Sequence, residues 1–505
     1  MTGLPPPSPE IGSRTSAHGA VPASRRPSVP PAARVRSGAV WAVPALLTAA
    51  IGATGLGDAQ LWRDELAAWS GASRPVGDLL RMVGNIDAVS GAYYLFLHYW
   101  IALFGDSVTA LRAPSVLAMA AAAGLTAALG TRLYDARAGL LAGLLFAVLP
   151  STSRYAQEAR SYAFVSCFAV LATLLLVAAL HRPTRLRWLG YTAAVALLGL
   201  MNLVALTLLA GHLVLVALSL RGRDRRWWHW AVTVAVAGLL LAPLALLGLG
   251  QQSQQLNWVD TPAPGELLAL PGALTQAAAV GGMLLGLAAV GLGLRARPGI
   301  ALAACVLAPV VLVFAAAQLT PLWVVRYLVF TLPFACLLAG AALAGLRLTY
   351  ALLVLAVLAV LGAPAQAALR RTHEWPRSAA IDYAAAAGAV AAGQRPGDGI
   401  VYSPRTGSWP MLDLAMEYHL RDDRPRDVLA ATGRRERADL WVGECPRPAE
   451  CLAGVERVWL LVRGDHDDPV AALADGKRDA LRAGYRVERS RQLPGLTLAL
   501  LVRTG

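Results

Sequence analysis

"AVWAVPALLTAAIGATGLG", residues 39–57, runs directly into "DAQLWRDELAAW", residues 58–69. The first stretch carries no charge and is long enough, at about 1.5 Å per helical residue, to cross an apolar layer of about 30 Å. The second places two adjacent carboxylates, Asp64 and Glu65, shortly beyond its end. An acid pair just outside a bilayer is where a membrane enzyme could keep a general base. A cleaved signal peptide is the weaker reading, because the run is long and no small-x-small site follows it.

The rest of the chain extends this pattern. Of 505 residues, 56% are hydrophobic and 15% charged, against about 25% charged in soluble domains. The expected fold is a polytopic α-helical membrane protein. Its net charge of +14 lies largely in the first residues and in short connections between apolar runs. That placement is an orientation signal and excludes a nucleic-acid-binding groove.

Residues 1–38 are rich in Pro, Ser, Ala and Arg and read as a disordered cytoplasmic tail, with Arg25, Arg26, Arg34 and Arg36 holding the first span's start inside. Further spans are expected near 110–133, 137–150, 160–181, 188–203, 205–220, 229–249, 276–294, 299–318, 326–346 and 348–368, about 11 in all. The basic connections "GTRLYDARAG", "HRPTRLRW", "RGRDRRWWH", "RARPG" and "GLRL" then fall on one side. The other side receives 58–109, "STSRYAQEARS", "QQSQQLNWVDTPAPGE" and "QLTPLWVVR". The segment "YYLFLHYWIALFG" (93–105) is too short to span, and its Tyr and Trp residues suit a helix at the outer interface.

After Leu369 charges return. "GDGIVYS", "ADLWVG", "ERVWLLVRG" and "LTLALLVRT" read as strands, and "RSAAIDYAAAAGAVAAG" and "DPVAALADGKRDALRAG" as helices closed by Gly. Residues 370–505 are therefore expected to form a small extracytoplasmic α/β domain. Cys445 and Cys451, six apart in "CPRPAEC", could pair in that compartment and lack the neighbours of a zinc site. Cys167, Cys305 and Cys336 sit in apolar runs as small hydrophobes.

The candidate chemistry falls on the outer face. Asp64, Glu65 and Asp87 could deprotonate an acceptor hydroxyl or help hold a divalent cation. Glu158 lies four residues from Arg154, the spacing of an ordinary ion pair on one helix face. Arg160 and Arg326, at the lips of spans, suit phosphate, which the planar guanidinium grips with two donors; snorkelling to bulk lipid is the competing explanation. Tyr327 accompanies Arg326. His98 reads equally as packing, Arg112 and Asp106 as anchors of helix ends, and His212 and Asn202 receive no role.

These segments, taken in order, resemble a known family. "WRDE" (62–65), "DAVSGAYYLFLHYW" (87–100), "FGDSVTALRAPS" (104–115), "QEARSYA" (157–163) and the late "RYLVFTLPFACLLAGAALAGL" (326–346) are similar to the GT-C membrane glycosyltransferases. Within them the resemblance points to the glycosyltransferase family 39-like, protein-mannosyltransferase-like bacterial branch and covers roughly 39–370. It implies hexosyl or pentosyl transfer, with mannose as one candidate sugar. The donor would be a polyprenyl-phosphate-linked sugar, and the acceptor an extracytoplasmic glycan, lipid or protein. It maps the base onto Asp64 with Glu65 in support, and a second acidic motif onto Glu158. Donor or substrate contacts would come from Asp87, Tyr94, His98, Arg160, Arg326 and Tyr327. The chain departs from the family pattern at Val89-Ser90-Gly91-Ala92 and at Asn85, which leaves sugar and acceptor open. No cofactor is certain. A lipid or solute transporter is the rival reading, yet transporters place ionisable groups at mid-membrane, and no repeat is visible here.

Overall fold

The protein is described by a computed structural model at residues 1–3, 31–222, 224–294, 296–371, 381–403 and 411–504. Most of the expected disordered tail, and residues 372–380 at the start of the expected C-terminal domain, lie outside the described residues.

The chain opens with helix α1 (Pro31–Ala53), followed by the short helices α2 (Arg63–Ala72), α3 (Val76–Asn85) and α4 (Gly91–Phe104). A bundle follows: α5 (Val108–Leu133), α6 (Ala136–Val148), α7 (Pro150–Ala156), α8 (Tyr162–His181), α9 (Arg185–Met201), α10 (Leu208–Ser219) and α11 (Arg225–Gln255). It continues through α12 (Gly265–Thr275), α13 (Ala278–Leu294), α14 (Ala296–Ala317), α15 (Leu332–Ala344) and α16 (Leu348–Leu369). Side chains set several starts: Ser107, Asp135, Thr184 and Asp224 each accept a hydrogen bond from a backbone N–H in the first turn they precede.

Among the described residues, six helices are long and apolar enough to cross a membrane, or eight if each of two bent pairs is one span. The pairs are α6–α7, bent by 66°, and α12–α13, bent by 101°. The expectation of about 11 spans exceeds the six to eight that length and composition pick out among the described residues. Helix α9 stops at Met201 and α10 begins at Leu208, with a 3₁₀ turn at Leu203–Thr207 between them. Helix α12 fills the stretch between the polar segment 251–266 and the span expected near 276–294.

Close approach in the bundle depends on small residues. A Cβ on Gly130 would sit 2.7 Å from the Cα of Gly139, and one on Gly139 would meet the carbonyl of Ala127. Gly340 abuts Ala142 and the Ala138 carbonyl in the same way, so α5, α6 and α15 touch almost backbone to backbone. A different device joins α8 to α11. Trp230 Nε1 donates to the Tyr191 hydroxyl (3.2 Å), which meets His212 Nδ1 (2.9 Å), while His212 Nε2 meets Thr173 Oγ1 (2.9 Å). His212 is fully buried, and this chain satisfies both of its ring nitrogens.

The basic connections gather at one end. The Arg137 guanidinium donates to the Leu346 carbonyl and that of Arg226 to the Leu180 carbonyl, and the Trp188 ring stacks on His229. The acidic and aromatic segments lie at the other.

Beyond α16 come α17 (Tyr383–Gly393), α18 (Leu412–Leu420), α19 (Pro448–Cys451) and α20 (Asp475–Gly484). They surround strands β1 (Gly399–Ser403), β2 (Arg426–Asp427), β3 (Ala430–Thr432), β4 (Gly443–Glu444), β5 (Arg457–Arg463), β6 (Tyr485–Leu493) and β7 (Leu496–Arg503). The main sheet runs β2-β1-β5-β7-β6, parallel from β2 to β5 and antiparallel beyond, and β3 pairs with β4 alone. "ADLWVG" is mostly turn, with only its last residue in β4, whereas the polar edge strand β6 had no apolar alternation to announce it. Cys445 and Cys451 form a disulfide.

One apolar core crosses the boundary between the two parts. Trp69, Leu79, Tyr94 and Leu111 pack in the same cluster as Leu412, Met416, Trp459 and Leu498. Polar groups stitch the seam. Asp106 accepts from Trp69 Nε1 (2.8 Å) and Arg421 Nη1 (2.7 Å), Arg435 pairs with Asp78 (2.6 Å), and Gln60 bonds both Ile381 O and Ala384 N.

Candidate active site

Asp64 and Glu65 sit in the first turn of α2, where carboxylates favour the positive end of the helix dipole. Adjacent helical residues diverge by about 100°, so the two cannot face the same surroundings. Asp64 looks into a cavity of about 800 Å³. Its Oδ2 lies 3.6 Å from Arg326 Nη2 and its Oδ1 3.6 Å from Arg63 Nε.

Glu65 turns the opposite way and is completely enclosed. Its Oε1 accepts from Arg112 Nε (2.8 Å) and the Ala159 backbone N–H (2.8 Å). Its Oε2 accepts from Arg112 Nη2 (2.7 Å) and the Trp62 N–H (3.2 Å). Arg112 is equally buried and spends its remaining donors on the carbonyls of Leu56, Ala59 and Gln60. This corrects the expectation of a catalytic Glu65: every oxygen is engaged, and the side chain ties the end of the first helix, α2, α5 and the 158–160 turn together.

The cavity's other walls come from the Asp87–Ser90 turn, Arg160–Tyr162, Asn202–Thr207, the last turns of α11 with Trp258, and Thr320–Tyr327. Met411, Leu440 and Arg463 line it from the C-terminal part. Asp87 adopts a left-handed backbone (φ 59°), which aspartate tolerates better than most residues. The turn is clamped by Gln251, whose side chain accepts from Ala88 N (2.8 Å) and donates to Val83 O (3.0 Å). Tyr94 lies behind it rather than on the wall. It donates its hydroxyl proton to the Asp87 carboxylate and accepts from Arg160 Nη1 (3.4 Å), while Ser90 Oγ donates to Asp87 Oδ1 (2.9 Å). Burial raises the Asp87 pKa, opposed by Arg160 and by the Tyr94 and Ser90 hydrogen bonds.

Arg326 donates through Nε to the Tyr162 hydroxyl (3.0 Å) and lies over the rings of Trp258 (5.5 Å) and Tyr327 (5.9 Å). The structure thus gathers Asp64, Asp87, Arg160, Arg326 and Tyr327 around one space. It does not bring His98 there: that ring bonds the Ala72 carbonyl through Nδ1 (2.8 Å) and packs against Tyr99, so the expected substrate contact is corrected to a packing role.

Glu158 is also off the wall. It is almost fully buried behind the cavity, with Arg154 Nε 3.7 Å away and no hydrogen bond to either oxygen among the described residues. It reaches the reaction space only electrostatically, a correction to direct catalytic contact. Burial raises its pKa from an ordinary 4.5 to about 7; Arg154 opposes this, and the carboxylates of Glu65 and Asp64 add to it. Between those two values the folded chain keeps a proton that the unfolded chain has released. Stability should therefore fall as pH rises through that window and level off above it. Melting temperature followed across the window should show this slope in the wild type and lose it in Glu158→Gln. A slope that survives the substitution belongs to another group.

Sequence reasoning missed Tyr162, Trp258, Asn202, Arg63 and Arg463. A lone Trp in the polar stretch "QQSQQLNWVD" was the one available signal, since an aromatic left in a polar loop has no core to fill. Among the described residues, no group of three or more His, Cys, Asp or Glu converges to hold a metal ion. A divalent cation at the acids would draw further ligands from substrate or water.

Residues 92–246 match the family described as dolichyl-phosphate-mannose-protein mannosyltransferase. The chain is similar in structure to ArnT from Cupriavidus metallidurans in the apo state, with TM-score 0.62, 15% identity, and coverage of 93% of this chain and 98% of that one. The same protein bound to undecaprenyl phosphate gives TM-score 0.61 at 15% identity, covering 92% and 98%. The arabinofuranosyltransferase AftD from Mycobacteria gives TM-score 0.50 at 18% identity, covering 93% of this chain and 41% of that one. No curated protein matches the chain in sequence.

Proposed function

We propose, from a fold held in common with the GT-C membrane glycosyltransferases, that this chain moves a sugar from a polyprenyl-phosphate donor to a hydroxyl acceptor at the extracytoplasmic membrane surface. One observation carries the reading: two aspartates and four arginines, Arg160 and Arg326 among them, line a single cavity at the end of the bundle opposite the basic connections. The basic connections support that orientation. So does the Cys445–Cys451 disulfide, which belongs to an oxidising compartment. Undecaprenyl phosphate bound to ArnT supports a polyprenyl carrier here, and the family match keeps mannose as a candidate sugar.

The chemistry needs a base for the acceptor proton and cations for the departing phosphate. Arg160 and Arg326 supply the cations, and Trp258, Tyr162 and Tyr327 offer faces for a sugar ring. The acceptor oxygen attacks the anomeric carbon, the bond to phosphate breaks, and the acceptor proton passes to Asp64. Asp64 lies between Arg63 and Arg326. A donor phosphate that takes Arg326 loosens that pairing and leaves the carboxylate freer to accept a proton.

Titrating a polyprenyl-phosphate sugar into the purified protein tests the reading. Saturable binding is expected. Arg160→Lys and Arg326→Lys should each weaken it by about 3- to 30-fold, since the charge stays but paired donation to phosphate is lost. No binding by the wild type would overturn the donor assignment. Binding unchanged in both variants would reduce the arginines to helix anchors.

A further inference from the structure

We infer that Arg463, supplied by the C-terminal α/β part, recognises the acceptor, and that the acceptor carries a phosphate or carboxylate close to the hydroxyl that is glycosylated. The inference rests on the donor reading above and deepens it.

The charge on the cavity wall is its first support. Among the described lining residues the charged side chains are Arg63, Arg160, Arg326 and Arg463 against Asp64 and Asp87, four cations to two anions and an excess of two positive charges. A sugar linked to a polyprenol through one phosphate is a phosphodiester with a single negative charge. Its binding leaves one cation uncompensated, so a second anion fits the space.

The arginines also differ in what already holds them. Arg326 has Asp64 and the Tyr162 hydroxyl, and Arg160 reaches Asp87 through Tyr94. Arg463 lies within 4.0 Å of no carboxylate among the described residues, and it is an exposed residue of the cavity lining. Its backbone, by contrast, is fixed. Arg463 ends β5, paired with Leu496 of β7, and its carbonyl meets His466 Nε2 (2.9 Å). The next residue, Gly464, takes φ 88° and bonds Gly495 O (2.8 Å) and Thr497 Oγ1 (2.8 Å). A planar guanidinium on a pinned strand end, with no carboxylate partner among the described residues, is a ready anion clamp. Donor groups come from the membrane part, so a cation contributed from the other side suits the second substrate.

The test uses the full chain in detergent, saturated with undecaprenyl phosphate as donor-side probe. Glycerol 1-phosphate is then titrated as an anion next to hydroxyls, with glycerol as its uncharged counterpart. The wild type should bind the phosphate and not glycerol. Arg463→Gln should weaken that binding by about tenfold or more, with undecaprenyl-phosphate affinity and melting temperature unchanged, and Arg463→Lys should restore part of it. Equal affinity in the wild type and Arg463→Gln, or equal binding of glycerol and its phosphate, overturns the inference. If undecaprenyl phosphate fails to bind the wild type, the donor reading falls, and the same titration on the lipid-free chain still decides Arg463. Repeating it in phosphatidylcholine and phosphatidylglycerol nanodiscs separates two sources. Competition confined to the phosphatidylglycerol discs, and relieved by Arg463→Gln, shows the anion arriving on a lipid headgroup; equal binding in both shows a soluble one.

Discussion

Asp64→Asn is expected to lower sugar transfer by about 10²–10⁴-fold, the scale of losing a general base, in a protein that inserts and melts as the wild type does. The amide keeps the size and one acceptor oxygen of the carboxylate but cannot take the acceptor's proton. Little structure should be lost, because Asp64 makes only long contacts of 3.6 Å to Arg63 and Arg326 and remains partly open to the cavity. The loss should appear in turnover, with donor affinity held or improved as Arg326 is released. Steady-state transfer with a polyprenyl-phosphate sugar measures it. Near-normal turnover would pass the role to Asp87, the other carboxylate on the wall.

The second large effect is on stability. Arg112→Met or Glu65→Gln should each cost about 3–5 kcal/mol, the price of leaving one member of a buried ion pair alone. The methionine variant strands a carboxylate and three carbonyls that Arg112 now satisfies. Loss of folded protein on extraction, and a fall in melting temperature in any that survives, are the readouts. The double variant Glu65→Leu with Arg112→Met should recover part of the loss, because it removes both charges from the interior. A single variant as stable as the wild type would show that the pair does not hold this junction.

Those two predictions divide an acid pair that is continuous in sequence. The pattern "WRDE" announced carboxylates at a membrane edge, and the structure sets Asp64 on the cavity and Glu65 behind it. It could not say which one faces the reaction space, because that depends on where Arg112 and the Ala159 N–H arrive from elsewhere in the chain. The membrane class was legible from apolar runs, and the arginines at 160 and 326 from their position at span ends. The number of crossings was less so: the break between the runs 188–203 and 205–220 was visible, but hydropathy does not register a sharp bend such as that between α12 and α13. In the C-terminal part β1, β5 and β7 were visible because their residues are buried and apolar. Strand β6 is exposed along most of its length, so nothing in its composition demanded a sheet. Arg463 was invisible as a candidate, since its place on the cavity wall comes from tertiary packing alone.

The single interior that joins Trp69 and Leu79 to Met416 and Trp459 also bears on how such a chain can change. Recombination that exchanged the C-terminal part for a relative's would bring in a foreign set of apolar shapes against α2, α3 and α4, and would break the Asp106 and Asp78 pairings in the same event. Segments 58–111 and 381–504 are thus one unit of inheritance despite the bundle threaded between them. Acceptor preference in this lineage should drift by paired substitutions across that interior, not by the wholesale borrowing of a module.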